Sequence, residues 1–229
     1  MQQSPASSSS GAIKFSLWLG AAALAFAFFI KLTSELLEHE VSGLDRTILI
    51  GFAKARVPWL TVMAVDLTAL GSLTLVVLIS TVAFCVLLLL KDRMAALQLA
   101  AASVGAGILT SAVKNYIDRT RPAEVTQLIQ VSGFSYPSGH SLAAASLYLT
   151  VAILVCRHLQ RTGHKIAILT MTMAIILLVG LSRIYLGVHY PSDVVSGISL
   201  GTAWALLLGG AFRFSFSTKS PTAGNVPSD

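Results

Sequence analysis

Six long runs of apolar residues dominate this chain, and they restrict the folds open to it. A segment that crosses a bilayer must satisfy its own backbone hydrogen bonds, and a helix does so with about 20 apolar residues. Hydrophobic residues make up 55% of the 229 residues and charged residues only 11%, whereas about a quarter of a soluble domain is charged. The sequence therefore predicts an all-α, polytopic membrane bundle.

The apolar runs predict about six transmembrane helices. The predicted spans are 12–32, 73–90, 95–116, 140–156, 166–181 and 194–212. A cleaved signal peptide is the alternative for the first, but its weakly charged start and the absence of a clear small-residue cleavage site favour an uncleaved helix. Residues 35–59 are too charged to span and too apolar to leave the membrane, which indicates an amphipathic helix at the interface. Asp66 and Gly71 interrupt the next run, so the part before Leu73 is predicted to be a helical extension outside the core.

The membrane domain is predicted to cover 12–213. Residues 1–11 are Ser-rich and residues 214–229 are polar and rich in Pro and Ser, and both segments are predicted to be disordered. Cys85 and Cys156 lie inside apolar runs, where they are expected to act as small hydrophobic residues and not to form a disulfide.

The distribution of basic residues predicts the orientation in the membrane. With six spans, one side receives Lys14, Lys91, Arg93, the cluster at 157–165, Arg213 and Lys219. The positive-inside rule makes this side cytoplasmic, together with both termini. The placement of the basic residues behind the net charge of +6 therefore indicates membrane orientation. It does not indicate nucleic-acid binding, because the sequence has no basic and aromatic face suited to that ligand.

Three polar clusters fall on the opposite side, and the one at 182–193 carries the strongest signal. Pro191 favours a helix start, which places Asp193 in the first turn with its carboxylate directed back toward His189. A histidine oriented by a carboxylate can act as a nucleophile, and Arg183 adds a planar cation suited to phosphate. Taken singly, these residues also fit a first-turn acid, an interfacial histidine and an arginine at the membrane edge.

The other two clusters also indicate an anionic ligand. Lys114 and Arg121 are cations on the side that the positive-inside rule leaves poor in them. Ser138 can cap the fourth span, Gly139 lets a ligand approach the backbone at that helix start, and His140 is placed to donate a proton. A plain helix cap is the alternative for the second cluster.

Together the clusters resemble the signature of the type 2 phosphatidic acid phosphatase superfamily. The matching residues are Lys114, six further residues and Arg121-Pro122; then Pro137-Ser138-Gly139-His140; then Ser182-Arg183, five residues, His189, three residues and Asp193. The resemblance covers 114–193. Asp118 and Arg119 lie outside the signature; a neighbouring acid and a lipid headgroup are the two candidate partners of Arg119, and neither is assigned.

The resemblance implies a role for each matching position. His189 would be the nucleophile that forms a phosphohistidine, Asp193 would orient it, and His140 would protonate the leaving group. The phosphoryl oxygens would be held by Lys114, Arg121, Arg183, the Ser138 hydroxyl and the Gly139 amide. Three cations could replace a metal, so hydrolysis without a metal or other cofactor is expected.

The expected function is that of a membrane phosphatase acting on a phosphorylated lipid, such as phosphatidic acid or phosphatidylglycerol phosphate. The alternative within the enzymes is an undecaprenyl diphosphate phosphatase. A lipid phosphotransferase remains open, whereas a binding or transport protein is disfavoured because binding alone would need only the cations. The expected location is the cell (inner) membrane, with the site on the periplasmic or extracellular face. The lipid tail and the oligomeric state stay open.

Overall fold

The structure, a computed structural model, describes the backbone of residues 6–217 and the side chains of residues 15–213. This part contains eight α-helices and no strand: α1 Ala6–Leu37, α2 Ser42–Lys54, α3 Pro58–Ala69, α4 Leu73–Leu89, α5 Arg93–Ile117, α6 Gly139–His158, α7 Thr162–Tyr185 and α8 Pro191–Ser217. Helix α1 begins within the first segment predicted to be disordered, and α8 ends within the second. The rest of those segments lies outside the described residues, and its disorder stays a prediction.

Five helices (α1, α5, α6, α7 and α8) are long and apolar enough to cross a membrane. The pair α3 and α4 provides a sixth span if the two are taken together, with a bend of 46° at the break between them. The predicted all-α membrane bundle is thereby confirmed. The predicted interfacial helix corresponds to α2, where Leu44 is exposed and the neighbouring Asp45 is buried.

Local signals explain where the helices begin. The Ser72 hydroxyl accepts a hydrogen bond from the Leu75 amide at the start of α4, and Asp92 caps α5 through the Ala95 amide. Pro58 and Pro191 are the first residues of α3 and α8, a position where the missing proline N–H costs nothing.

Helix α8 packs against α1 and α6, and small residues allow the close approach to α6. A Cβ atom on Gly197 would lie 2.5 Å from the Ser138 carbonyl oxygen, and one on Gly201 would lie 2.4 Å from that of Leu142. Gly197 and Gly201 therefore allow the backbones of α6 and α8 to approach closely, and Ala205, further along α8, is buried. The contact brings the starts of α6 and α8 together, and the Ser138 amide donates to the Asp193 carbonyl at 2.9 Å.

The irregular segment 118–138 folds over this end of the bundle. Arg121 holds it through Nε to the Gly133 carbonyl at 2.9 Å and through Nη2 to the Ser132 carbonyl at 3.0 Å. The ends of α5 and α7, the starts of α6 and α8, and this segment therefore share one end of the molecule, where the three polar clusters meet.

Candidate active site

His189 and Asp193 form a buried pair at the start of α8. Gly187 makes the turn after α7 with a φ of 75°, a value that glycine adopts without strain. The turn places His189 Nδ1 3.4 Å from Asp193 Oδ2, and the same oxygen accepts the Tyr190 amide at 2.9 Å. The predicted reach of Asp193 back over the helix start is confirmed.

Ser135, in the segment between α5 and α6, completes the surroundings of this pair. Its hydroxyl donates to Asp193 Oδ2 and lies 3.4 Å from His189 Nδ1. Asp193 and Ser135 thus enclose Nδ1 of His189. The other ring nitrogen, Nε2, lies 3.3 Å from Arg121 Nη1. With a proton on Nδ1 directed to Asp193, the lone pair is on Nε2, where it accepts from Arg121 Nη1 in this structure and becomes able to attack once Arg121 binds an anion.

The protein environment keeps the His189 imidazole neutral. Burial lowers its pKa to about 4; Asp193 opposes this shift, while Arg183 and Arg121 add to it. Near neutral pH His189 therefore carries an unprotonated nitrogen, as a nucleophile requires.

The three predicted cations surround the space in front of His189. Arg183 is almost completely buried; its Nη1 donates to the Thr68 hydroxyl at 2.9 Å, and its buried Nε has no partner among the described residues. Lys114 donates to the Phe134 carbonyl, and Arg121 Nη1 donates to the Val188 carbonyl at 2.9 Å. Positive charge is thus fixed by groups outside the cavity, and an unpaired donor remains available to an anion.

A cavity of about 730 Å³ connects these groups and is called the site cavity below. The polar residues and glycines that line it are Gly71, Ser103, Gly107, Thr110, Ser111, Lys114, Arg121, Ser132, Gly139, His140, Arg183 and His189; its apolar walls are Leu73, Val76, Ala106, Val131 and Ala143. Five charged or imidazole side chains therefore share a space whose other walls are largely small or apolar.

Ser138 occupies a different position from the other predicted phosphate ligands. It is fully buried, its hydroxyl oxygen accepts hydrogen bonds from the Ser141 amide and hydroxyl, and it is absent from the cavity lining. The predicted cap of α6 is confirmed, and the predicted contact of the Ser138 hydroxyl with phosphate stays a prediction. Gly139 and His140, the next two residues, do line the cavity.

Four residues around the site have no role assigned from the sequence. Ser135 and Thr68 are hydroxyl residues without a motif. Asp45 and Arg119 meet each other at 2.8 Å, and Arg119 also meets Asp193 at 2.6 Å. The available signals were an acidic residue in the amphipathic helix α2 and an arginine between Lys114 and Arg121.

Among residues 15–213, no three His, Cys, Asp or Glu side chains converge in a way that could hold a metal ion. Hydrolysis without a metal stays a prediction, to be tested with a chelator.

Comparison with known proteins identifies similar membrane enzymes. The model of the PAP2 superfamily matches residues 95–215. A phosphatidylglycerophosphatase B of Bacillus subtilis is 31% identical over 186 residues, which cover 81% of this chain and 91% of that protein. A lipid A 1-phosphatase of Rhizobium johnstonii is 32% identical over 46% of this chain and 42% of its own length.

A solved structure shares the arrangement of the whole bundle. The crystal structure of a transmembrane PAP2 type phosphatidylglycerolphosphate phosphatase from Bacillus subtilis superposes with a TM-score of 0.78 at 28% sequence identity. The match covers 89% of this chain and 98% of that chain.

Proposed function

The chain belongs to the PAP2 superfamily, and from this premise we propose that it is an integral membrane phosphatase that removes a terminal phosphate from a lipid through a phosphohistidine on His189. The proposed substrates are phosphate monoesters of glycerolipids, of the phosphatidylglycerol phosphate or phosphatidic acid type. A relative named as a phosphatidylglycerophosphatase supports the glycerolipid class, and one named as a lipid A 1-phosphatase supports a phosphorylated lipid in general.

One observation carries the proposal: a neutral, carboxylate-oriented histidine and a second histidine line the same cavity as three cations. His189 and His140 both border the site cavity with Lys114, Arg121 and Arg183. Binding of an anion would require the cations alone, whereas the two imidazoles supply a nucleophile and a proton donor.

The reaction proceeds in two steps. In the first, His189 Nε2 attacks phosphorus, a P–N bond forms as the P–O bond to the lipid alcohol breaks, and His140 gives a proton to the departing oxygen. In the second, His140 takes a proton from a water molecule whose oxygen attacks phosphorus. The P–N bond then breaks, its electron pair returns to His189, and inorganic phosphate leaves.

The cations stabilise the charge that the transferring phosphoryl group spreads over its oxygens. Lys114, Arg121 and Arg183 are held in advance by the Phe134, Val188 and Thr68 oxygens, so they need little reorganisation when the phosphate arrives. The amide of Gly139 at the start of α6 adds a donor and the positive end of a helix dipole.

The cavity walls favour a substrate with an apolar part beside its phosphate. Leu73, Val76 and Ala143 give the cavity apolar walls, and the exposed Gly107 borders it on α5. A lipid could thus place its phosphate among the cations while its tail remains against apolar helix surfaces.

The basic residues support an orientation with the site on the outer face. Lys91, Arg93 and Arg157 lie in connections or helix ends opposite the site, where the positive-inside rule places the cytoplasm. We propose an inner-membrane location, with both termini cytoplasmic and the cavity open to the periplasm or exterior.

Phosphate release in detergent micelles tests the function. Wild type and His189→Ala are compared on phosphatidic acid, phosphatidylglycerol phosphate and undecaprenyl diphosphate, with EDTA present. Release from a glycerolipid monoester, lost in the variant, is expected. Release from undecaprenyl diphosphate alone would replace the proposed substrate by the alternative. Acceptor-dependent release would identify a phosphotransferase, and no release from folded protein would contradict the phosphatase proposal.

A further inference from the structure

Arg119 bridges two buried carboxylates from distant parts of the chain. Its Nη1 lies 2.6 Å from Asp193 Oδ1 and its Nη2 lies 2.8 Å from Asp45 Oδ2. The side chain is mostly buried, and its guanidinium carbon lies 4.1 Å from the centre of the Tyr190 ring. A planar guanidinium suits such a bridge because it presents two donors in a fixed fork.

Asp45 extends this bridge to the first turn of α8. Its Oδ1 accepts the Ser192 amide at 2.8 Å and its Oδ2 accepts the Ser192 hydroxyl at 2.5 Å. Ser192 directly precedes Asp193, so α2 holds the same helix start that carries the partner of His189. Both the backbone and the carboxylate of this turn are therefore anchored by groups outside the sequence signature.

The two oxygens of Asp193 have separate sets of partners. Arg119 contacts Oδ1, whereas His189 Nδ1, the Ser135 hydroxyl and the Tyr190 amide are near Oδ2. Arg119 does not line the site cavity, and both of its Nη atoms are already engaged with carboxylates. This arrangement distinguishes Arg119 from the cations that face the cavity.

We propose that Arg119 and Asp45 are positioning residues of the phosphatase, which hold the Asp193 carboxylate so that Oδ2 faces His189. The inference rests on the proposed function, because it concerns the geometry of the nucleophile. It also gives the interfacial helix α2 a part in the reaction, since Asp45 is the residue through which α2 touches the bridge.

Kinetics of Arg119→Gln, Asp45→Asn and the double variant test the inference in the full chain. Each single variant should lower kcat on phosphatidic acid by about ten- to a hundredfold, since a misplaced catalytic group costs up to about that much. KM should stay within about twofold of wild type because the cavity cations are unchanged. If Arg119 and Asp45 act as one unit, the double variant should be no slower than the slower single variant. Arg119→Lys keeps the charge but not the fork, so it should restore kcat only in part.

Arg56→Gln provides the structural control. Arg56 lies at the same end of the molecule and donates to the carbonyls of Tyr185 and Thr126, with no contact to Asp45 or Asp193. Its loss should lower the melting temperature and leave kcat per folded molecule unchanged.

Three results would overturn the inference. One is a kcat loss in Arg119→Gln no larger than in Arg56→Gln, and another is a raised KM with kcat retained, which would make Arg119 a substrate ligand. The third is additive losses in the double variant. If Arg119→Gln does not fold, Asp45→Asn decides alone, because its one amide oxygen can still accept from the Ser192 amide while the carboxylate oxygen that accepts from Arg119 is lost. A wild type without phosphate release would instead refute the proposed function, before any variant is compared.

Discussion

His189 Nδ1 and Asp193 Oδ2 lie 3.4 Å apart across the start of α8, four residues apart in sequence. The spacing follows from Pro191, which begins the helix and places Asp193 in its first turn. The carboxylate thus faces a histidine that lies just outside the helix.

Asp193→Asn should lower kcat by about a hundredfold or more, because the amide no longer favours the proton on Nδ1 of His189 or stabilises charge on the ring. KM should change little, since Asp193 does not line the cavity. Steady-state phosphate release checks both constants. Full activity in Asp193→Asn would show that orientation of His189 does not depend on this carboxylate.

The acid limb of kcat/KM should lie near pH 4 and not near pH 6.5. Attack requires neutral His189, whose pKa burial lowers to about 4, with Arg183 and Arg121 adding to the shift and Asp193 opposing it. Activity is therefore expected to persist through pH 5 and to fall only as pH drops through the lowered pKa. A pH profile from 3.5 to 7, corrected for the folded fraction at each pH, measures the limb. Half-loss of activity near pH 6.5 would contradict a buried, neutral nucleophile.

Much of the fold and part of the site could be predicted from sequence because the signals are local. Apolar runs mark the spans, and the turn from His189 to Asp193 depends on neighbours within four residues. Arg119 and Asp45 are 74 residues apart, and their contact depends on how α2 seats against the bundle, which no local pattern specifies. Ser138 carries two local signals: its motif position indicates a phosphate ligand, which stays a prediction, and its place before α6 indicates the cap that its hydroxyl oxygen forms by accepting from Ser141.

Thr68→Val should lower kcat/KM by about tenfold, because the Thr68 hydroxyl accepts from Arg183 Nη1 at 2.9 Å and hydrogen bonds to charged groups contribute about 1.5–3 kcal/mol. Arg183→Lys should cost about a hundredfold or more, since an ammonium loses the planar fork. Thr33→Val is the matched control: Thr33 contacts the Tyr136 hydroxyl at 2.7 Å outside the cavity, and kcat/KM should not change. Equal losses in the two threonine variants would show that support of Arg183 is not the cause.

Gly201→Val should destabilise the bundle by about 1–3 kcal/mol, the usual cost of overpacking a core. Its Cβ would lie 2.4 Å from the backbone oxygen of Leu142, and a backbone atom cannot move aside as a side chain can. Thermal unfolding in detergent measures the effect against Gly20→Val, where a Cβ on α1 meets nothing within 4 Å. Equal melting temperatures would contradict the tight contact between α6 and α8.

Gly107→Leu should separate lipid substrates from soluble ones. Gly107 lines the site cavity, and a Cβ atom there meets nothing within 4 Å, so a leucine begins from open space at the cavity wall. If the lipid tail lies along this wall, kcat/KM for a long-chain phosphatidic acid should fall by about tenfold or more, as expected when a bulky group fills a tail position. Hydrolysis of p-nitrophenyl phosphate, which has no tail, should remain within about twofold of wild type, because the cations and both histidines are untouched.

Gly20→Leu provides the matched control for this experiment, since Gly20 also faces open space but lies on α1, away from the cavity. It should leave both substrates unaffected. Equal loss on both substrates in Gly107→Leu would mean that the leucine disturbs the phosphate site itself. No loss on either would place the tail elsewhere, because a cavity that holds the tail cannot accept a leucine side chain in the same space at no cost.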